Sequence, residues 1–284
     1  MSRVLVTGAT GFIGTHARAA LERAGHDVVV MRVDLLHPRA ADALVEAARA
    51  THLLHLAWYA VPGKFWSAPE NAEWVKATRR LLRAFYAAGG QRVVAAGTCA
   101  EYDWEGDGVL SERDTPIRPA TPYGEAKAKA FERAQGLGGE LAWGRVFFLY
   151  GPGEHPDRLV SSVARRLLAG EEAPTTEGTQ VRDFMHVADV AGAFAALVDS
   201  EVTGAVNVGS GVPVTVREVV DEVARAAGRP DLLRAGALPQ REGEPPQLVA
   251  DVARLRDEVG FRPRYDLRSG IEDTVDWWRS RMPA

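Results

Sequence analysis

The stretch Val4-Leu5-Val6-Thr7-Gly8-Ala9-Thr10-Gly11-Phe12-Ile13-Gly14 passes from an apolar run of strand type straight into a glycine-rich turn. Beyond it, Phe12, Ile13, Ala17, Ala20, Leu21 and Ala24 recur at helical spacing. Strand, glycine turn and helix in that order form the first half of a dinucleotide-binding βαβ unit. Gly8 permits a sharp turn, Gly11 lets the backbone approach a pyrophosphate, and Gly14 lets the helix lie close on the strand. The helix N-terminus then offers free N–H groups and a positive dipole end to phosphates. Gly8, Gly11, Phe12, Ile13 and Gly14 are therefore expected at the cofactor.

Working outward, the 284 residues are 46% hydrophobic and 25% charged, enough for one large domain or two modest ones with a real core. A net charge of −4 without a Lys/Arg block argues against nucleic acid or an acidic membrane as partner. No apolar run reaches the roughly 18 residues of a membrane span. The chain enters a core strand at once, which leaves no room for a signal peptide. The single cysteine, Cys99, cannot form an internal disulfide, and a cytoplasmic setting fits both observations.

Further segments repeat the theme. Gly97-Thr98-Cys99-Ala100-Glu101-Tyr102 follows a strand at Arg92–Ala96, and Tyr123-Gly124-Glu125-Ala126-Lys127 puts Tyr and Lys at i and i+4 on one helix face. Pro119 and Pro122 stop any earlier helix, and Thr121 is placed to cap this one. Arg145-Val146-Phe147-Phe148-Leu149-Tyr150-Gly151-Pro152-Gly153 and Arg182-Asp183-Phe184-Met185-His186-Val187-Ala188-Asp189 come later. With the Gly-x-x-Gly-x-x-Gly turn, these segments resemble the extended short-chain dehydrogenase/reductases, the NAD-dependent epimerase/dehydratase family, and within it nucleotide-sugar 4-ketoreductases and epimerases. The resemblance covers essentially the whole chain. It implies an α/β fold: a Rossmann-type doubly wound parallel sheet with a smaller C-terminal α/β substrate lobe. Residues 1–150 would form the dinucleotide-binding domain, with parts of 180–210 returning to it, and 151–284 mainly the substrate lobe.

The resemblance also assigns residues. The catalytic group would be Thr98, Tyr123 and Lys127, with Lys127 also at the cofactor. In NAD-preferring relatives an acid ends the second strand, here His26–Met31, and counting from Gly14 that place falls on Arg32. An arginine suits a 2′-phosphate, so NADP(H) is favoured, with NAD possible. Val33–Leu36 resembles the segment after a third strand, where Asp34 and Leu35 would approach the adenine. The family places more residues between those strands, so either the link is shortened or part of the native chain is absent from this sequence, in which case Arg32 could belong to strand three. Leu56 and Ala57, ending the strand Thr51–Ala57, would pass beneath the cofactor. In the loop Trp58–Pro69, Trp58, Tyr59, Phe65 and Trp66 either wall a sugar pocket with Lys64 at its rim or cover the core. Cys99, Tyr102 and Phe148 are placed beside the sugar nucleotide. Arg182 and Arg241 would grip its diphosphate, and Glu244 its ribose. Helices near 70–89 and 121–136 would join a homodimer.

The chemistry follows from the residue types. Bringing a tyrosine from a pKa of ~10 towards ~7 takes about 4 kcal/mol of differential stabilisation, which a neighbouring Lys127 ammonium and a nicotinamide charge can supply. Family 4,6-dehydratases carry an Asp-Glu pair directly after the threonine, where this chain has Cys99 and Ala100, and neither supplies the acid that loss of water requires. A sensor without turnover tends to shed the tyrosine or lysine, and both are present. Two readings remain: an NADPH-dependent reductase of a keto group, C4 foremost, on a nucleotide-activated deoxysugar, which is favoured, and an NAD-dependent 4-epimerase of nucleotide-diphosphate sugars.

Overall fold

A computed structural model describes residues 1–106, 108–240 and 243–282. The chain opens with β1 (Arg3–Thr7), α1 (Phe12–Arg23), β2 (Asp27–Val30), α2 (Ala40–Ala48), β3 (His52–His55), α3 (Glu70–Ala87) and β4 (Arg92–Thr98). It continues through β5 (Val109–Leu110), α4 (Pro122–Gln135), β6 (Glu140–Val146), β7 (Phe148–Tyr150), α5 (Leu159–Leu168) and β8 (Ala173–Pro174). Then come β9 (Val181–His186), α6 (Val187–Asp199), β10 (Gly204–Val208), β11 (Pro213–Thr215), α7 (Val216–Ala227), β12 (Leu233–Arg234), β13 (Gln247–Ala250) and α8 (Leu267–Arg279).

Six strands pair in parallel in the order β10–β6–β4–β3–β1–β2. A parallel sheet is covered on both faces, so its strands must be apolar on both sides, and Val4, Leu5 and Val6 of β1 are all buried. On one face α1 and α6 pack through Ala17, Leu21, Val190 and Phe194. On the other, α2, α3 and α4 contribute Leu44, Leu81, Phe85 and Ala130. This is the expected doubly wound arrangement. A mixed sheet, β11–β9–β13–β5 with β7 also on β9, lies beside a third core built from α5, α7 and α8 around Val163, Leu167, Val219 and Ile271. Asp183 ties that region together. Its carboxylate accepts from Ser210 N at 2.7 Å, Gly211 N at 2.8 Å and Ala250 N at 3.1 Å.

Two expectations about elements need correction. No strand stands between β2 and α2, and β2 is the edge of the sheet. Arg32 follows β2 in this chain. Leu35 turns inward against the α2–α3 core rather than towards an adenine, and Asp34 caps its own turn by accepting from Leu36 N at 3.0 Å. The segment Glu140–Phe148 is two strands, because the chain changes sheets at Phe147: β6 pairs with β4 and β10, whereas Phe148 pairs with Phe184 on β9.

The ends of β1 and β3 are locked by one buried imidazole. His55 Nδ1 lies 2.7 Å from Thr7 Oγ1 and its Nε2 lies 2.9 Å from Thr78 Oγ1 on α3, joining three elements beneath the glycine turn. Burial pushes its pKa from 6.5 down to about 3, and the Lys127 charge pushes the same way. Between those values the unfolded chain takes up a proton that the folded chain refuses. The stability this residue contributes is therefore complete above pH 6.5 and is lost as pH falls towards 3. Urea unfolding at pH 7 and pH 5 should show wild type losing about 2 kcal/mol more than His55→Gln, which retains hydrogen-bonding groups for both threonines. Equal losses in the two proteins would show that the imidazole is not held neutral.

Candidate active site

The glycine turn is built for close approach. Gly8 has φ 72°, and a Cβ on it would fall 2.7 Å from Ala57 N. A Cβ on Gly14 would fall 2.0 Å from Gly8 O, which no real side chain tolerates. Gly11 is the N-cap of α1, where no side chain bonds the first amides, so they remain available to an anion. Leu56 N donates to Thr7 O at 3.1 Å, which sets Leu56 and Ala57 against the turn. Phe12 and Ile13 are half-buried in the first turn of α1. The cradle thus fits a pyrophosphate on its backbone alone. Arg32 is exposed just beyond β2 and makes no ion pair among the described residues.

At the carboxyl end of β4 a short 3₁₀ turn, Cys99–Glu101, carries a capping box. Ala100 N donates to Thr98 Oγ1 at 3.2 Å, and Thr98 N donates to Glu101 Oε1 at 2.9 Å. Glu101 has no solvent exposure. It also accepts from Trp143 Nε1 at 2.9 Å and from Arg145 Nε at 2.8 Å, both on β6. α4 meets this turn closely, since a Cβ on Gly124 would stand 2.1 Å from Ala100 O. Thr121 caps α4 by accepting from Gly124 N at 3.1 Å, and Pro122 occupies its first turn.

Thr98, Tyr123 and Lys127 are thereby brought to one place. The Tyr123 ring is met edge-on by Phe65 at 4.9 Å and Trp66 at 5.8 Å, and Tyr123 N donates to Trp66 O at 3.1 Å. Lys127 is buried, donates to Ala96 O at 2.7 Å, and sits 3.9 Å from the centroid of Trp58. The expected electrostatics need correction. Burial pushes the Tyr123 phenol above its ordinary value, the Thr98 side chain is the strongest group acting the other way, and Lys127 is not among the main influences on it. Lys127 itself is pushed down to about 7 by burial, against the pull of Glu101. The ammonium donates to a carbonyl and faces an indole.

Other expected residues are placed as follows. Tyr102 has no solvent exposure, and its hydroxyl donates to Asn207 Oδ1 at 2.7 Å under the Arg145 guanidinium. It is core and cannot touch a ligand. Cys99 packs with Tyr102, Leu110, Phe147 and Leu248, and burial pushes its thiol up to about 12, so it serves as a small apolar residue. Trp58 turns towards Lys127 and stacks on Trp74 at 6.0 Å rather than standing as an open wall. Trp66, 38% exposed, is the loop's open indole, and Lys64 is exposed. Arg182 and Glu244, expected to grip separate parts of a ligand, are joined in an ion pair at 2.9 Å, with Phe148 beneath the guanidinium at 5.4 Å. Arg241 lies outside the described residues. The sequence reading missed Glu101 and Asn71. The spacing Thr98-x-x-Glu101 is a capping-box signature that could have flagged the first. Nothing local marks Asn71, which accepts from Trp58 Nε1 at 2.9 Å and donates to Phe65 O at 2.8 Å.

Residues 4–209 match the NAD dependent epimerase/dehydratase family. The UDP-glucose 4-epimerase of Corynebacterium glutamicum is 30% identical over 95% of this chain and 94% of that one. That alignment runs over 315 positions, more than this chain has residues, so the relative carries segments this chain lacks. The structure of Thermus thermophilus UDP-glucose 4-epimerase in complex with NAD is 30% identical with a TM-score of 0.86, covering 99% of this chain and 100% of the other. MoeE5 in complex with UDP-glucuronic acid and NAD is 34% identical with a TM-score of 0.84 at the same coverage. The chain belongs to the NAD dependent epimerase/dehydratase family.

Proposed function

We propose that this protein is an NAD-dependent 4-epimerase of a nucleotide-diphosphate sugar, acting through Thr98, Tyr123 and Lys127. The observation that carries the reading is the meeting of a Thr-Tyr-Lys group with an uncapped glycine turn on one sheet edge. No carboxylate stands at Cys99 or Ala100 to eliminate water. Similarity over nearly the full length to UDP-glucose 4-epimerases favours this reading over the ketoreductase expected first, and the NAD bound in the Thermus thermophilus epimerase and in MoeE5 favours NAD over NADP. Gly8, Gly11, Phe12, Ile13, Gly14, Leu56 and Ala57 would hold the dinucleotide, which supplies a hydride acceptor and donor when bound. Arg32 is then a solvated arginine.

As the phenolate, Tyr123 takes the proton of a sugar hydroxyl while hydride leaves the same carbon for the bound dinucleotide, and it returns the proton when that hydride is given back to the other face of the carbonyl. Thr98 holds the oxygen against the phenol. Burial favours the protonated phenol and the Thr98 side chain opposes it, so Tyr123 must ionise before it takes the hydroxyl proton, and positive charge from the Lys127 ammonium and a bound dinucleotide would favour that. Arg182, buried and paired with Glu244 over Phe148, would take a diphosphate only by exchanging that partner, and the exposed Trp66 would give the sugar an aromatic surface.

Two outcomes follow. Purified protein should interconvert C4-epimeric nucleotide sugars with no dinucleotide added, and mass spectrometry of the denatured protein should release NAD. Stoichiometric consumption of added NADPH would move the assignment to a reductase. Tyr123→Phe should lower kcat by about 10²–10⁴-fold while the dinucleotide still binds, and wild-type turnover in that variant would remove the proposed acid/base.

A further inference from the structure

Lys127 is 4% exposed, yet its ammonium has one hydrogen bond among the described residues, to Ala96 O at 2.7 Å. The protein's further stabilisation of that cation must come from the groups around it. The charged and titratable groups around it do not supply it directly. Glu101, from the turn after β4, has its oxygens engaged by Thr98 N, Trp143 Nε1 and Arg145 Nε. Arg145 on β6 is the partner in that pair and repels a second cation. His55 on β3 is neutral, and Tyr123 on the same helix keeps its proton. What remains against the ammonium is the face of Trp58 at 3.9 Å, with Trp143 farther away at 5.9 Å.

Trp58 is not free to turn away. Its Nε1 donates to Asn71 Oδ1 at 2.9 Å, its ring stacks on Trp74 at an interplanar angle of 29°, and Asn71, itself buried, also bonds Phe65 O at 2.8 Å. The same asparagine therefore fixes the indole beneath Lys127 and the strand of loop that carries Phe65 onto Tyr123. A tryptophan face attracts a cation electrostatically, and more strongly once both are out of water.

We propose that Trp58, fixed by Asn71, is a positioning residue that seats the Lys127 ammonium and keeps it charged inside the protein. The indole acts through Lys127, and its part in turnover rests on the catalytic reading of Lys127 given above. Because the face stabilises the charged form, losing it must lower the pH at which Lys127 gives up its proton, and an activity that needs the ammonium must then fail at lower pH.

The chain has only four lysines, Lys64, Lys76, Lys127 and Lys129, so each can be followed by carbon-13 NMR in full-length protein labelled at lysine Cε, with Lys127→Arg assigning the signal. The Lys127 titration midpoint should fall from wild type to Trp58→Phe to Trp58→Leu, by about one pH unit in the last, and the alkaline limb of kcat should move with it. Midpoints unchanged in both variants would overturn the proposal. Should Trp58→Leu fail to fold, wild-type protein grown on fluorinated tryptophans keeps the shape and weakens the ring face. The midpoint should then fall with each added fluorine, and a constant midpoint overturns the idea. Turnover surviving in Lys127→Met would refute the catalytic reading while leaving the effect of Trp58 on the titration intact, so the two failures are distinguishable.

Discussion

The Glu101 carboxylate is the constraint on which the mouth of the parallel sheet depends. It is sealed from solvent and bound by a backbone amide of β4 and by an indole and a guanidinium of β6. Removing one partner of a buried ion pair costs about 3–5 kcal/mol because the other charge is stranded. Every group at that mouth inherits its position from this one. Thr98 is held through its own N–H, the 3₁₀ turn is capped by it, and α4 abuts that turn through Gly124 with Tyr123 and Lys127 on board. Its negative charge also bears on both residues, raising the affinity of each for a proton.

What could be read from the chain alone was what short-range chemistry determines. The glycine turn needs neighbours only a few residues away, and Tyr123 and Lys127 share a helix face by arithmetic. Covering both faces of a parallel sheet leaves apolar runs that name its strands, so the doubly wound core was legible. The site's interior was not. Tyr102 follows the Thr98 segment in the family pattern, but a hydroxyl bond to Asn207, over a hundred residues away, draws it into the core. The loop that carries Trp58 reads equally as a pocket wall or a cover over the core, and only Asn71 on the next helix fixes which way that indole turns. The relation of Lys127 to Tyr123 was inferred from adjacency on a helix, whereas burial outweighs adjacency for both groups. Arg182 and Glu244 are far apart in sequence, and only the fold shows that each is the other's partner.

The site is best understood as an inventory of protons in a dry place. A phenol that keeps its proton, a lysine pushed towards neutrality, and an imidazole that stays neutral all lie behind the glycine turn. Such a group does little while water can reach it, since solvent would level the differences. The aromatic loop from Trp58 to Trp66 supplies the cover over Tyr123 and the floor under Lys127 in one piece.

The sheet's last strand has a consequence for the protein in concentrated solution. β2 ends the sheet, so one row of its amides and carbonyls has no neighbour among the described residues, and three of its four residues are consecutive valines. Such a border invites a foreign strand to add itself. The chain answers with brevity and charge: the strand stops after Val30, Asp27 is pinned to Arg3 at 2.8 Å, and Arg32 and Asp34 stand exposed just past it. The short link to α2 thus leaves an open seam among the described residues whose guards are these ions, and solubility becomes one of their duties.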